Sequence, residues 1–115
     1  MSLVPCKCID DSNRPSQIPP EKWIAKDEEY RILGLYVHVN QNRIQGVTLV
    51  EKPLDHTNRP YETFRLNRFT FNLEDIPALI QLARDCTDLQ GLNDVDLERL
   101  IKEQVPEEEH YCPSH

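Results

Sequence analysis

The chain has 115 residues, 38% of them hydrophobic, with 13 Lys+Arg against 20 Asp+Glu. That length sets a single domain with one modest core, and no apolar run approaches the ~18 residues of a transmembrane helix. The net charge of −7 argues against generic nucleic-acid binding, because an acidic surface repels phosphate.

The stretch Met1–Cys6 has neither the basic nor the apolar region of a secretory leader, so a cytoplasmic, reducing environment is expected. Charge is also uneven. Residues 1–73 hold ten basic and nine acidic side chains, whereas residues 74–115 hold three and eleven.

In chain order, the first predicted element is a short strand from Leu3 to Ile9. It places Cys6 and Cys8 on one face. Asp10 to Ser16 is turn chemistry, since Asp, Asn and Ser side chains bond their own backbone and Pro15 fixes φ. Pro19-Pro20 holds the chain extended up to Trp23 and Ile24, a bulky apolar pair suited to plugging a small core.

Tyr30 to Val39 is β-rich. Leu33, Leu35, Val37 and Val39 fall on one face and Tyr30, Ile32, Tyr36 and His38 on the other, with Gly34 marking a bulge or bend. Asn40 to Arg43 reads as a hairpin loop and Ile44 to Glu51 as the return strand, ended by Pro53. Asp55 to Pro60 contains a second Asn-Arg-Pro turn that echoes residues 13–15, too short an echo to define a repeat. Tyr61 to Phe71 then reads as a strand. Tyr61, Thr63, Arg65 and Asn67 lie on one side and Glu62, Phe64, Leu66 and Arg68 on the other. Phe69 and Phe71 break that parity, which predicts a bulge or change of direction near Asn67.

A helix follows. Pro77 fits only its first turn, so Glu74 or Asp75 caps it, and Ile76, Leu79, Ile80, Ala83 and Cys86 form its apolar stripe. Past Gly91, Asn93 with Asp96 caps a second helix whose stripe is Leu97, Leu100, Ile101 and Val105, stopped by Pro106. The fold class is therefore α+β: a small antiparallel SH3-like β-barrel or curled sheet over residues 1–72, two helices over 73–105 packed on it, and an acidic tail over 106–115. Trp23, Leu35, Val37, Leu49 and Phe64 are expected to share one core with Ile76, Leu79, Ile80 and Ala83.

Chemistry is sparse. Three scattered glycines make no phosphate loop, and no nucleophile elbow or metalloprotease motif is present. Cys6, Cys8, His110 and Cys112 are residue types that bind zinc, but their spacing is not that of a finger, so structural thiols are the preferred reading and no metal or cofactor is expected. Arg59, Tyr61, Arg65 and Arg68, interleaved with Phe64 and Phe69, form a basic-aromatic cluster able to grip carboxylate or phosphate. Its counter-charge is either internal, from the acidic helical half, or an external ligand; one arginine is expected to be held internally and the others to face a ligand. Tyr36 and His38 make the next candidate surface.

Cys8-Ile-Asp-Asp-Ser-Asn-Arg-Pro15, Ile18-Pro19, Lys22-Trp23-Ile24 and Glu29-Tyr30, with Phe64-Arg-Leu-Asn-Arg-Phe69, resemble a group of small uncharacterised phage and prophage proteins. The likeness covers about residues 6–69 and is similar in pattern to SH3-like barrels; Asp27 stands where that pattern has a turn glycine, and the helical extension is additional. The resemblance assigns no catalytic residue. It implies a mobile-element accessory protein.

The expected function is noncatalytic binding of a host protein or small anionic ligand. The alternatives are a counter-defence protein that sequesters a nucleotide signal, and a small enzyme with a site assembled near His38 or His56.

Overall fold

The computed structural model describes residues 3–89 and 91–104. Its elements are β1 (Val4–Cys8), β2 (Glu29–His38), β3 (Arg43–Leu49), β4 (Phe69–Phe71), α1 (Ile76–Cys86) and α2 (Asp94–Gln104). The strands form one antiparallel sheet in the order β3-β2-β1-β4. The fold is thus α+β, a curled half-barrel followed by two helices.

Curling has a local cause. Phe64 bridges to Val47 on the outer edge of β3 through a reciprocal pair of backbone hydrogen bonds, both 2.8 Å. Seven residues later the same segment pairs with β1, Phe71 lying opposite Cys6. Residues 64–71 therefore cross from one edge strand to the other and draw the sheet round a common interior. Gly46 permits the approach, because a Cβ there would lie 2.6 Å from the Phe64 carbonyl oxygen and would also overlap Thr63. The single strand expected over Tyr61–Phe71 is instead this bridge, a 3-10 turn at Leu66–Arg68 and β4. The turn supplies the change of direction that the broken parity near Asn67 implied.

The face assignment in β2 needs one correction. Ile32 is fully buried and Leu33 is 42% exposed. The register shifts between the pairs Ile32–Leu49 and Gly34–Thr48, so the inward side changes at Gly34 and Leu35 and Val37 are inward again. Space at Gly34 is tight, as a Cβ would meet Thr48 Oγ1 at 2.9 Å and Cys86 Sγ at 3.2 Å.

One apolar core joins sheet and helices. Val4, Ile32, Leu35, Leu49, Phe64, Phe69 and Phe71 pack with Ile76, Leu79 and Ala83 of α1 and with Leu97, Leu100 and Ile101 of α2. Trp23 and Ile80 are only half-buried at its margin, while Leu82, outside the expected stripe, is buried. Asn93 caps α2 as expected: its Oδ1 accepts from the Asp96 amide at 2.9 Å. Val105 and Pro106 lie outside the described residues.

The two long connections interlock. Asn58, 1% exposed, donates to the Gln17 carbonyl at 2.9 Å and accepts from the Asp55 amide at 3.0 Å and from Lys22 Nζ at 3.3 Å. Asp55 Oδ1 accepts from the Thr57 amide at 2.9 Å and its Oδ2 pairs with Lys22 at 2.9 Å. The second Asn-Arg-Pro turn is thereby clamped to the 9–28 loop. Its Arg59–Pro60 peptide is cis. Asp27 does occupy a conformation that favours glycine, at φ 72°.

Cys6 and Cys8 share a face, as alternation requires, and both are fully buried. His110 and Cys112 lie outside the described residues, and among the described residues no three potential ligands gather as a metal would need. Burial pushes the Cys8 thiol up from 9.0 to about 11, and the Cys6 thiol further. The folded protein holds both thiols neutral where the unfolded chain would ionise them. That contribution is complete below the unfolded pKa and is lost as pH rises towards 11. The urea midpoint is therefore expected to fall between pH 8 and pH 10.5, and to fall less in Cys8→Ala. An equal drop in both proteins would remove the thiol from the explanation.

Candidate ligand-binding site

Three adjoining hollows of about 370, 380 and 320 Å³ lie along the 59–65 segment, and Gln45 lines all three. The first is walled by Tyr36, Thr48, Leu54, His56 and Arg59. The second lies between the two long loops, with Trp23, Phe64 and Ile18 beneath and Pro15, Pro60, Tyr61 and Arg65 around it. The third holds Arg43, Arg65, Asn67 and Gln104. Glu62 and Thr63 line both the first and the second hollow, so these two form one continuous surface.

The arginines divide by environment. Arg68 has a side chain only 13% exposed; its Nη1 donates to the Ser12 carbonyl at 2.8 Å and to the Asp10 carbonyl at 3.2 Å, and lies 3.5 Å from Asp10 Oδ1. Its guanidinium also stacks 5.1 Å from the Trp23 ring centroid. Trp23 in turn donates from Nε1 to the Asp11 carbonyl at 2.7 Å and lies 5.7 Å from Phe64, ring centre to ring centre. Arg68 is thus built into the loop, and its partners come from residues 10–12, not from the helical half. Arg59 and Arg65 are exposed and have no ion-pair partner among the described residues. Tyr61 is 38% exposed and lines the second hollow with Arg65.

Each basic residue of the helices pairs within the helical half, which stays strongly acidic. Arg84 pairs with Asp94, Arg99 with Glu103 and Lys102 with Glu98. Around the sheet, Arg31 pairs with Glu51 at 2.7 Å, outside the hollows just described.

Tyr36 and His38 separate. Tyr36 faces the first hollow with Thr48, and burial raises its hydroxyl pKa. His38 sits at the end of β2 opposite Arg43 and lines none of the three hollows. His56 reaches the first hollow, but no hydrogen bond joins a carboxylate to either imidazole among the described residues. Asp55, next to His56, is occupied by Thr57 and Lys22.

Sequence reasoning missed Arg43, Gln45 and Asn58. Arg43 stood alone in a predicted loop, and Gln45 gains its place from a register shift between the pairs Tyr36–Gly46 and Val37–Ile44. Asn58 did carry a signal, the Asn-Arg-Pro echo, without one that it would be buried. No family model, curated protein or solved structure matches the chain.

Proposed function

We propose that this chain is a noncatalytic interaction module that binds a partner across the surface formed by the first and second hollows. One observation carries the reading: Arg65 lines the Trp23 hollow with Tyr61, Arg59 lines the adjoining hollow, and neither has an ion-pair partner among the described residues. Arginine forks presented next to apolar rings suit a carboxylate- or phosphate-bearing ligand with an apolar part. The continuous surface formed by the two hollows suits binding of a ligand larger than either hollow alone.

The likeness of residues 6–69 to phage and prophage proteins supports a mobile-element accessory role, with a host protein as partner. A nucleotide signal is the second reading, favoured by the aromatic walls and by two guanidinium groups with no ion-pair partner among the described residues. No helix among the described residues is long and apolar enough to cross a membrane.

The test is a panel of nucleotides, phosphate esters and peptides incubated with the protein, read by thermal shift and by mass spectrometry of the recovered ligands. The expected result is saturable binding with every ligand recovered intact, lost in R59A/R65A. Turnover that disappears in His56→Ala or His38→Ala would overturn it.

A further inference from the structure

Resting on that reading, we infer that the partner is an acidic, extended protein segment, seated along the 59–65 ridge and the open edge of β3. The first ground is charge. Leaving aside Arg68, which pairs with Asp10, the three hollows are lined by Arg43, Arg59 and Arg65 against Asp55 and Glu62, a positive face on a chain of net charge −7. Arg43, like Arg59 and Arg65, has no ion-pair partner among the described residues. Asp55 is already neutralised by Lys22, which leaves Glu62 as the opposing charge.

The second ground is shape. The hollows follow one another along the chain direction of the ridge and meet at Gln45, which suits an extended segment better than a compact ligand. The third is the sheet itself. β3 is an edge strand, and beyond the bridge at Val47–Phe64 the edge from Arg43 to Gln45 has no neighbouring strand among the described residues. A segment added there forms main-chain bonds, sets carboxylates against Arg43 and Arg65, and lays an apolar side chain on Tyr61 and Trp23. A long nucleic acid fits less well, because the acidic helical half repels phosphates that run beyond the ridge.

The probe is a displayed library of random twelve-residue peptides selected against the full chain, followed by titration of the synthesised winners and of a twelve-residue oligothymidylate. The expected winners carry at least two Asp or Glu around an apolar residue. They should bind at least tenfold more weakly to Arg65→Glu and to Tyr61→Ala, and more weakly as salt is raised. Arg65→Glu should melt with the parent protein, since Arg65 has no internal partner among the described residues.

Enrichment of neutral or basic peptides, or of none, would overturn the acidic-segment proposal. If the oligothymidylate binds at Arg65 while peptides fail, the proposal falls and the binding-module reading stands. If acidic peptides bind but R65E leaves them unaffected, both the ridge and the reading built on it fall.

Discussion

Leu79→Ala is expected to lower the unfolding free energy by about 2–5 kcal/mol, the cost of a buried leucine whose cavity does not collapse. Leu79 is fully buried in the first half of α1, which packs chiefly against β2. It belongs to the same cluster as Leu35, Phe64 and Phe69, so the helix shares the core of the curled sheet and is not an appendage. Helices of eleven residues such as α1 are marginal alone, and burial of this face holds it in place. Ile80→Ala is the internal comparison. Half-buried at the margin, Ile80 should cost distinctly less. Urea unfolding of the two variants measures both; a loss below ~0.5 kcal/mol for Leu79→Ala would place the helix off the sheet.

The second large effect is expected from Gly46→Ala. Its new methyl group would lie 2.6 Å from the Phe64 carbonyl oxygen, and that oxygen is held by the Val47 amide. Backbone cannot yield without opening the Val47–Phe64 bridge, so overpacking of about 1–3 kcal/mol is expected. The bridge also carries the 59–65 ridge, and binding should weaken together with stability. Gly34→Ala gives the contrast. Its nearest obstacles are the side chains of Thr48, Cys86 and Tyr36, which have room to adjust by rotation, so a smaller loss is expected. Hydrogen exchange at the Val47 and Phe64 amides reads the opening directly: unchanged protection in Gly46→Ala would show that the closure does not depend on this glycine.

How much of this was legible in the sequence depends on the range of the forces involved. The helices were readable, because capping at Asn93 and the stripes Ile76-Leu79-Ala83 and Leu97-Leu100-Ile101 are local patterns. The first three strands were readable from β-branched and alternating residues. Leu33 was misplaced because a bulge at Gly34 inverts parity, and composition gives a bulge's neighbourhood without its register. The Tyr61–Phe71 segment was misread as one strand because its division follows from long-range pairing: Phe64 with Val47 on one edge, Phe71 with Cys6 on the other.

The site was partly legible. A cluster of arginine and aromatic residues marked the right segment, and Tyr61, Arg65 and Arg68 do line one hollow together. Which guanidinium is satisfied internally was not visible, because the partners of Arg68 are main-chain carbonyls at Asp10 and Ser12, 58 and 56 residues away. Carbonyls carry no residue identity, and the one charged partner, Asp10, lies equally far away in sequence. His38 and Tyr36 share a parity in the sequence, but the β2–β3 register shifts between Tyr36 and Val37, and only Tyr36 faces a hollow.

The central claim is that one arginine is built into the loop while its neighbours are presented outwards. Paired urea unfolding of Arg68→Ala and Arg65→Ala tests it most directly. The account predicts a loss of about 1–3 kcal/mol for Arg68→Ala, which forfeits charged hydrogen bonds to two carbonyls and the contact with Trp23. It predicts a change within about ±0.5 kcal/mol for Arg65→Ala, as at an ordinary surface position. Equal losses in the two variants, or a larger loss for Arg65→Ala, would contradict it.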